Sequence, residues 1–190
     1  MKSHRRLSQA ISEGDGISVL VEVHDAESAR AAAAQGAEGL ALRMPADDVS
    51  GATELPIVWL GRLDHAGNAD AVVVDVDGVG ERLAELVDEV QALGVECVLK
   101  VRDEDDLELV LEAVDPEILL LSAEARDDDQ HHLDRLLELL PDVPAGKLAI
   151  AELEIASQED VEELERAGVD AVLVTAGDIG PLVGDQPPSV

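Results

Sequence analysis

Three stretches of the chain repeat one pattern, and this repetition limits the folds that are open to it. In each stretch a run of Val, Leu, Ile and Ala ends at charged residues, a capping residue opens a helix, and a second apolar run follows. They read VLVEVHDAESARAAAAQGAEGLAL, CVLKVRDEDDLELVLEAVDPEILLL and AIAELEIASQEDVEELERAGVDAVLV. Each is a β-α-β unit, in which a crossover helix joins two parallel strands. The repeats therefore predict an α/β fold built on a parallel sheet.

Short apolar segments recur along the whole chain and predict eight strands. They lie at 17–23, 39–42, 56–60, 71–75, 95–101, 118–121, 148–151 and 171–174. Their nearly continuous apolar character is typical of parallel strands that are covered on both faces. Eight such strands close into a TIM (β/α)8 barrel without leaving an edge.

The length of 190 residues requires a compact version of this barrel, because the fold usually takes at least about 200 residues. Turn formers between 43 and 55 and between 61 and 69 predict shortened connections after strands two and three. An open doubly wound sheet is the alternative, but the first turn, VEVHDAES, lacks the glycines of a phosphate-binding turn. We predict one barrel domain over 1–190, with a polar extension at 1–16 and a short tail at 178–190.

Helix boundaries are predicted from caps and from apolar stripes. Asp25, Asp103 and Ser157 are the expected N-caps, the last in a capping box. We also expect an amphipathic helix over 78–93, an acidic helix over 127–140, and burial of Leu107, Val110 and Leu111.

Charge excludes several classes of function. The chain has 43 acidic and 13 basic residues and a net charge of −30, which repels nucleic acid and anionic membranes. Without a long apolar run or an apolar leader, a cytoplasmic location is expected. One hypothesis for the acidity is a high-salt, halophilic environment, where dense carboxylates maintain solubility while salt screens their repulsion.

The metal, redox and cofactor signals are weak. Cys97 is the single cysteine, which excludes an internal disulfide, and its apolar surroundings favour a small core residue over a nucleophile. His131 and His132 follow an acidic run, but adjacent histidines on a helix point apart. We expect neither a metal nor a cofactor.

Chemistry in a barrel is expected where the strands end. Glu22, Lys100 and Glu152 each interrupt an apolar strand near its end, and an unpaired charge there would cost several kcal/mol. We therefore expect them to pair with one another, either as a stabilising relic or as a working acid–base set. The other candidates at the strand ends are His24, Arg43, Arg62, Asp75, Asp77, Arg102, Ser122, Glu124 and Glu154.

Three segments carry a resemblance to a known family. RRLSQAISEGDGISVLVEV, GVECVLKVRDEDDLELVLEA and KLAIAELEIASQEDVEELERAGVDAVLVT resemble indole-3-glycerol phosphate synthase, in register from about 7 to 175. The resemblance implies a (β/α)8 lyase that closes the pyrrole ring of an anilino-deoxyribulose phosphate with loss of CO2 and water. It also implies a small, phosphorylated ligand.

Several of the family's functional positions are altered in this chain. The first-strand Glu matches Glu22, but the following Lys is His24, and the mobile lid is missing. The third-strand Lys has no counterpart, although Arg62 lies nearby. Lys100 replaces the fifth-strand catalytic Glu, and Glu152 keeps the Glu of the seventh strand. The resemblance thus makes Glu22, His24, Arg62, Lys100 and Glu152 the candidate catalytic residues.

The ligand-binding positions differ as well. Ser122 begins the pair that replaces the sixth-strand Asn pair, and Thr175 and Gly177 stand where a phosphate cup is expected. Glu154 and Asp178 bring carboxylates to that cup, which disfavours phosphate. Two hypotheses follow. One is a divergent synthase-like lyase, and the other is a barrel without catalysis that binds a small molecule or a protein partner, or regulates one.

Overall fold

The fold is a closed parallel barrel, as the sequence predicts. The computed structural model describes residues 6–14, 16–46, 48–122, 132–153, 157–175 and 179–183. Eight strands pair in chain order, and β1 also pairs with β8. The strands are β1 Ser18–Glu22, β2 Gly39–Leu42, β3 Ile57–Trp59, β4 Ala71–Asp75, β5 Glu96–Val101, β6 Ile118–Ser122, β7 Leu148–Leu153 and β8 Ala171–Thr175.

Six α-helices accompany the strands in the described part of the chain. They are α1 Arg6–Glu13, α2 Ala26–Ala34, α3 Leu83–Ala92, α4 Glu104–Ala113, α5 His132–Leu139 and α6 Gln158–Ala167. Among the described residues of the connections after β2 and β3, the regular structure is one 3-10 turn each, Val49–Gly51 and Leu63–His65. The predicted shortening of these two connections is confirmed. None of the helices in the described ranges is long and apolar enough to cross a membrane.

The predicted caps are confirmed. Asp25 and Asp103 accept hydrogen bonds from the backbone amides three residues on, and Ser157 forms a capping box with Asp160. Each cap satisfies amides that have no partner inside the helix. The caps fix the points at which the chain turns from a strand end into α2, α4 and α6.

Two helix predictions are wrong in detail. The helix expected from Gly78 begins only at Leu83, because Gly78 and Gly80 have positive φ angles of 72° and 52° that an α-helix does not use. Leu111 is 36% exposed instead of buried, since Leu107 and Val110 form the stripe that faces the barrel. The acidic helix expected over 127–140 appears as α5 from His132, and residues 123–131 lie outside the described ranges.

Alternation along the strands decides which side chains enter the barrel. The interior cluster contains Leu20, Ala41, Val58, Ala71, Val98, Ile118, Leu120, Ile150, Ala171 and Leu173. Residues two positions further on share their side of the strand. Glu22, Lys100, Ser122 and Glu152 are therefore directed to the interior at the carboxyl ends of their strands.

Helix α1 closes the opposite end of the barrel. Its Leu7 and Ile11 belong to the interior cluster, and both are almost fully buried. The carboxylate of Glu96 accepts hydrogen bonds from the backbone amides of Leu7 at 2.7 Å and Ser8 at 3.1 Å. Although the segment 1–16 reads as a polar extension, its described helix is thus part of the barrel. The carboxyl end of the barrel, which we call the mouth, carries the candidate site.

Candidate functional site at the barrel mouth

The central contact at the mouth joins Lys100 of β5 to Glu152 of β7. The Lys100 Nζ atom lies 2.8 Å from Glu152 Oε2, and the two side chains are 8% and 13% exposed. At this depth the ammonium and the carboxylate need each other, because either charge alone would remain desolvated. The expected pairing of these two residues is confirmed.

Glu22 joins the same cluster through a different cation. Arg43 follows β2, and its Nε atom donates to both oxygens of Glu22 at 2.9 and 3.0 Å. Its Nη2 atom donates to Glu152 Oε1 at 3.0 Å. We call Glu22, Arg43, Lys100 and Glu152 the mouth quartet. Its two cations and two anions balance, and Glu152 is shared by both cations.

The pKa of Glu152 reflects this environment. Burial raises the pKa, but the ammonium of Lys100 at 2.8 Å, the nearby Ser122 hydroxyl and the charge of Arg43 together hold it below its usual value. The pKa of Arg43 is raised, since the attraction of Glu22 and Glu152 outweighs the opposite effect of burial. Both groups are thus ionised at neutral pH.

Ser122 lies beside Glu152 in the strand register and is 2% exposed. Its hydroxyl is near enough to lower the pKa of Glu152, yet its geometry falls short of a full hydrogen bond. Ser122 is therefore part of the buried wall under the quartet.

A second ion-pair group lies between the ends of β4 and β5. Arg102 donates to both carboxylate oxygens of Asp75, and Asp77 lies 4.0 Å from its Nη1 atom. Burial raises the pKa of Asp75, but the hydrogen bonds from Arg102 and Asp77 and the charges of Arg102 and Lys100 outweigh it and lower that pKa. The Arg102 side chain is thus held against the barrel wall, and 12% of its surface is exposed.

Other predicted site residues lie apart from the quartet. The His24 side chain is 75% exposed and lies 3.4 Å from Asp25, which fits a surface position at the junction of β1 and α2. The Arg62 side chain is 83% exposed and pairs with Asp64 at 3.2 Å. Thr175 is the register neighbour of Glu22 and is exposed.

Gly177, Glu124, Glu154 and Asp178 fall outside the described ranges, and so do His131 and the acidic run before it. Among the described residues, no three His, Cys, Asp or Glu side chains are grouped to hold a metal ion. Cys97 is partly buried on the outer side of β5, and burial raises the pKa of its thiol to about 12.

Arg43 is among the candidates that the sequence places at the strand ends, but the sequence does not predict its contacts with Glu22 and Glu152. It follows the last residue of β2 and continues the inward series of Gly39 and Ala41. Alternation along β2 is the sequence pattern that predicts an inward side chain at this position. It identifies Arg43 as an inward residue at the mouth, whereas its contact with both glutamates depends on side-chain reach.

The quartet forms a chain of ion pairs that runs from Lys100 through Glu152 and Arg43 to Glu22. A proton transfer to a substrate requires one of these groups to leave its partner, and a substrate anion has to compete with Glu22 and Glu152 for the cations. The arrangement stabilises the barrel mouth directly, and it offers one close acid–base pair, Lys100 with Glu152.

Comparison with known proteins identifies the family. The sequence model for indole-3-glycerol phosphate synthase matches residues 63–177, which is more than half of the chain. The chain belongs to the indole-3-glycerol phosphate synthase family. This match includes β4 to β8, with Lys100 and Glu152 of the quartet.

Individual synthases are similar over much of the chain. The indole-3-glycerol phosphate synthase of Parafrankia sp. is 34% identical over 129 residues, covering 64% of this chain and 47% of that protein. The Sulfurisphaera tokodaii enzyme is 32% identical over 121 residues, with coverages of 62% and 49%. The Geobacillus sp. enzyme is 28% identical over 136 residues, with coverages of 67% and 53%. The chain spans about half the length of the curated relatives it matches.

Solved structures support the fold. An N-acetylmannosamine-6-phosphate 2-epimerase from Clostridium perfringens superposes with a TM-score of 0.70 at 16% identity, covering 86% of this chain and 88% of that one. A thiamine phosphate pyrophosphorylase from Pyrococcus furiosus gives a TM-score of 0.66 at 16% identity, with coverages of 87% and 90%. At this level of identity both comparisons concern the barrel alone.

Proposed function

We propose that this chain is a non-catalytic member of the indole-3-glycerol phosphate synthase family, a barrel that acts as a binding or regulatory protein. The mouth quartet carries the proposal. By the resemblance, Lys100 stands where the family has its fifth-strand catalytic Glu and Glu152 matches the family's seventh-strand Glu. The Lys100 ammonium lies 2.8 Å from the Glu152 carboxylate. This charge reversal turns a pair of acids into an ion pair.

The remaining cations at the mouth are engaged in the same way. Arg43 is bound to Glu22 and Glu152, and Arg102 to Asp75. Arg62 is the cation nearest in sequence to the position of the family's third-strand Lys. Its side chain extends into solvent beside Asp64. A phosphorylated substrate would have to displace carboxylates from these cations within a protein of net charge −30. Both features support a role without ring closure.

Complementation of a tryptophan auxotroph that lacks the synthase tests this proposal. We expect no growth with this chain and normal growth with the Sulfurisphaera tokodaii synthase as the positive control. The purified chain, shown to be folded by cooperative urea unfolding, should give no indole product from the anilino-deoxyribulose phosphate. Growth, or turnover that Glu152→Gln removes without unfolding the protein, would overturn the proposal.

The second candidate is a divergent lyase, favoured by the depth and closeness of the Lys100–Glu152 pair. In that case Lys100 donates a proton and Glu152 accepts one as the ring closes and loses CO2 and water. Lys100→Met and Glu152→Gln would then each abolish turnover, whereas Arg62→Gln on the exposed turn would leave it unchanged.

A further inference from the structure

A groove lies on the outer wall of the barrel, away from the mouth. It has a volume of about 520 Å3 and is formed by α3, β5 and the end of α4 with the loop that follows it. Cys97 and Leu99 of β5 line it, with Val87 of α3 and Val114 after α4. The volume lies within the range of sites that bind small molecules.

Small side chains keep this groove open. Ala84 of α3 and Ala113 of α4 stand on its two sides, and Cys97 is the small outward residue at the start of β5. In close-packed barrels larger side chains fill the space between neighbouring helices. The groove therefore follows from three small residues on three consecutive elements.

The charged residues that line the groove are all acidic. Its acidic members are Asp88, Glu96, Asp115 and Glu117, and none of the described residues that line it is basic. Glu96 is bound to the amides of α1, and Asp115 receives the ammonium of Lys147. Asp88 is exposed on α3, one turn from Ala84, and it presents a carboxylate beside the apolar lining.

We propose that this groove binds a small amphipathic monocation, an apolar body carrying one ammonium group. The apolar body would lie on the partly exposed Val95, Cys97 and Val114, and the ammonium would face Asp88. An anion of the same shape is repelled by the acidic rim, and a neutral analogue gains only the apolar contact. The site is separate from the mouth quartet and does not depend on whether the mouth retains catalysis.

Three probes of one shape test the charge requirement. Phenethylammonium, 2-phenylethanol and phenylacetate are titrated into the full chain at fixed 0.5 M KCl, and backbone amide shifts are recorded by NMR. Phenethylammonium should bind at least about tenfold more tightly than phenylacetate, with its largest shifts at Cys97, Val114 and Ala84. Equal binding of cation and anion, or shifts centred elsewhere, would contradict the proposal.

Matched variants test the site itself. Ala84→Phe fills the groove from an exposed helix position and should abolish the shifts, whereas Ala31→Phe on the exposed face of α2 should leave them unchanged. Asp88→Asn should remove most of the preference for the cation, and Glu89→Gln, its neighbour outside the groove, should retain it. If Glu89→Gln weakens binding as much as Asp88→Asn, the attraction is that of the whole acidic surface and the proposed site is wrong.

Cys97 supplies a readout that is independent of NMR. As the single cysteine of the chain, it reports on the groove when it reacts with a small thiol reagent. Saturating phenethylammonium should slow this reaction several-fold, and phenylacetate should not. An unchanged rate with the cation would overturn the proposed position of the ligand even if binding is observed.

Discussion

Lys100 Nζ lies 2.8 Å from Glu152 Oε2 although β6 separates the two strands. In the register Lys100 is level with Leu120, and Leu120 is level with Ile150, so Glu152 lies one inward layer nearer the mouth. The long lysine side chain spans this layer with its stem buried in the barrel and its charge at the mouth. A cationic side chain shorter than lysine at position 100 would not reach the Glu152 carboxylate.

Removal of Lys100 should destabilise the protein strongly. In Lys100→Met the buried Glu152 keeps Arg43 as its one cationic partner among the described residues. Breaking a buried pair by removing one partner costs about 3–5 kcal/mol. Urea unfolding at fixed KCl measures this loss. Lys147→Met, which breaks an ion pair with the exposed Asp115, is the matched control and should cost about 0–1 kcal/mol.

The same pair can be tested for coupling. In the double variant Lys100→Met with Glu152→Gln no charge is left without its partner, so the two losses should not add. The double variant should be more stable than the sum of the single effects indicates. Strictly additive losses would show that the two side chains act independently, in conflict with their contact.

The stability should depend on pH through Glu152. Its pKa is below the ordinary value in the folded protein, so the folded state binds fewer protons than the unfolded state. The stabilisation is therefore present above the unfolded pKa of about 4.3 and is lost as the pH falls through the lower folded pKa. The difference in unfolding free energy between the wild type and Glu152→Gln should be large at pH 6 and shrink below about pH 4.3.

Glu163→Gln on the exposed face of α6 is the control for this pH series, and its curve should run parallel to that of the wild type. A constant difference between wild type and Glu152→Gln from pH 6 to pH 3 would contradict the lowered pKa. Urea unfolding at each pH, with the KCl concentration held fixed, gives both curves.

The barrel could be predicted from sequence because its determinants are local. Apolar runs of strand length, the caps Asp25, Asp103 and Ser157, and the turn formers after strands two and three each act within a few residues. The late start of α3 could have been predicted too, since Gly78 and Gly80 both precede it and glycine readily adopts positive φ. Leu111 was predicted to be buried because it belongs to the apolar stripe of α4. It lies at the edge of that stripe, and a residue there is buried only if a neighbouring element covers it.

The mouth was harder to predict, since its contacts join residues that are far apart in the chain. The sequence predicted that Glu22, Lys100 and Glu152 pair with one another, because each charge interrupts an apolar strand near its end. The contact of Lys100 with Glu152 is confirmed, whereas Glu22 is paired with Arg43 instead of Lys100. The sequence did not indicate that Arg43, 21 residues from Glu22 and 109 from Glu152, would join both carboxylates. That contact depends on the register between β1, β2 and β7 and on side-chain length, neither of which is a local property.

A side chain at Gly39 in β2 is expected to destabilise the barrel. A Cβ atom added there would lie 2.6 Å from Leu20 Cδ2, inside the closed barrel. Gly39→Ala should destabilise the protein by about 1–3 kcal/mol, because an overpacked interior has to shift side chains or strands. Gly51→Ala is the control, since its added Cβ meets no atom within 4 Å, and it should leave the urea midpoint unchanged or slightly higher.

The acidic surface should make stability depend on salt. With a net charge of −30, the folded chain brings its carboxylates closer together than the unfolded chain does, and added salt screens this repulsion. The urea midpoint should rise as KCl is increased from about 0.01 M, where the screening length is about 30 Å, to about 1 M, where it is about 3 Å. The pair of Lys100 and Glu152 is buried, so its attraction is screened less over the same range. A variant that converts four exposed acids of α6 to Gln (Glu159, Glu162, Glu163 and Glu165) should show a shallower rise. A midpoint that stays constant or falls with KCl would contradict the hypothesis that the acidity is an adaptation to high salt.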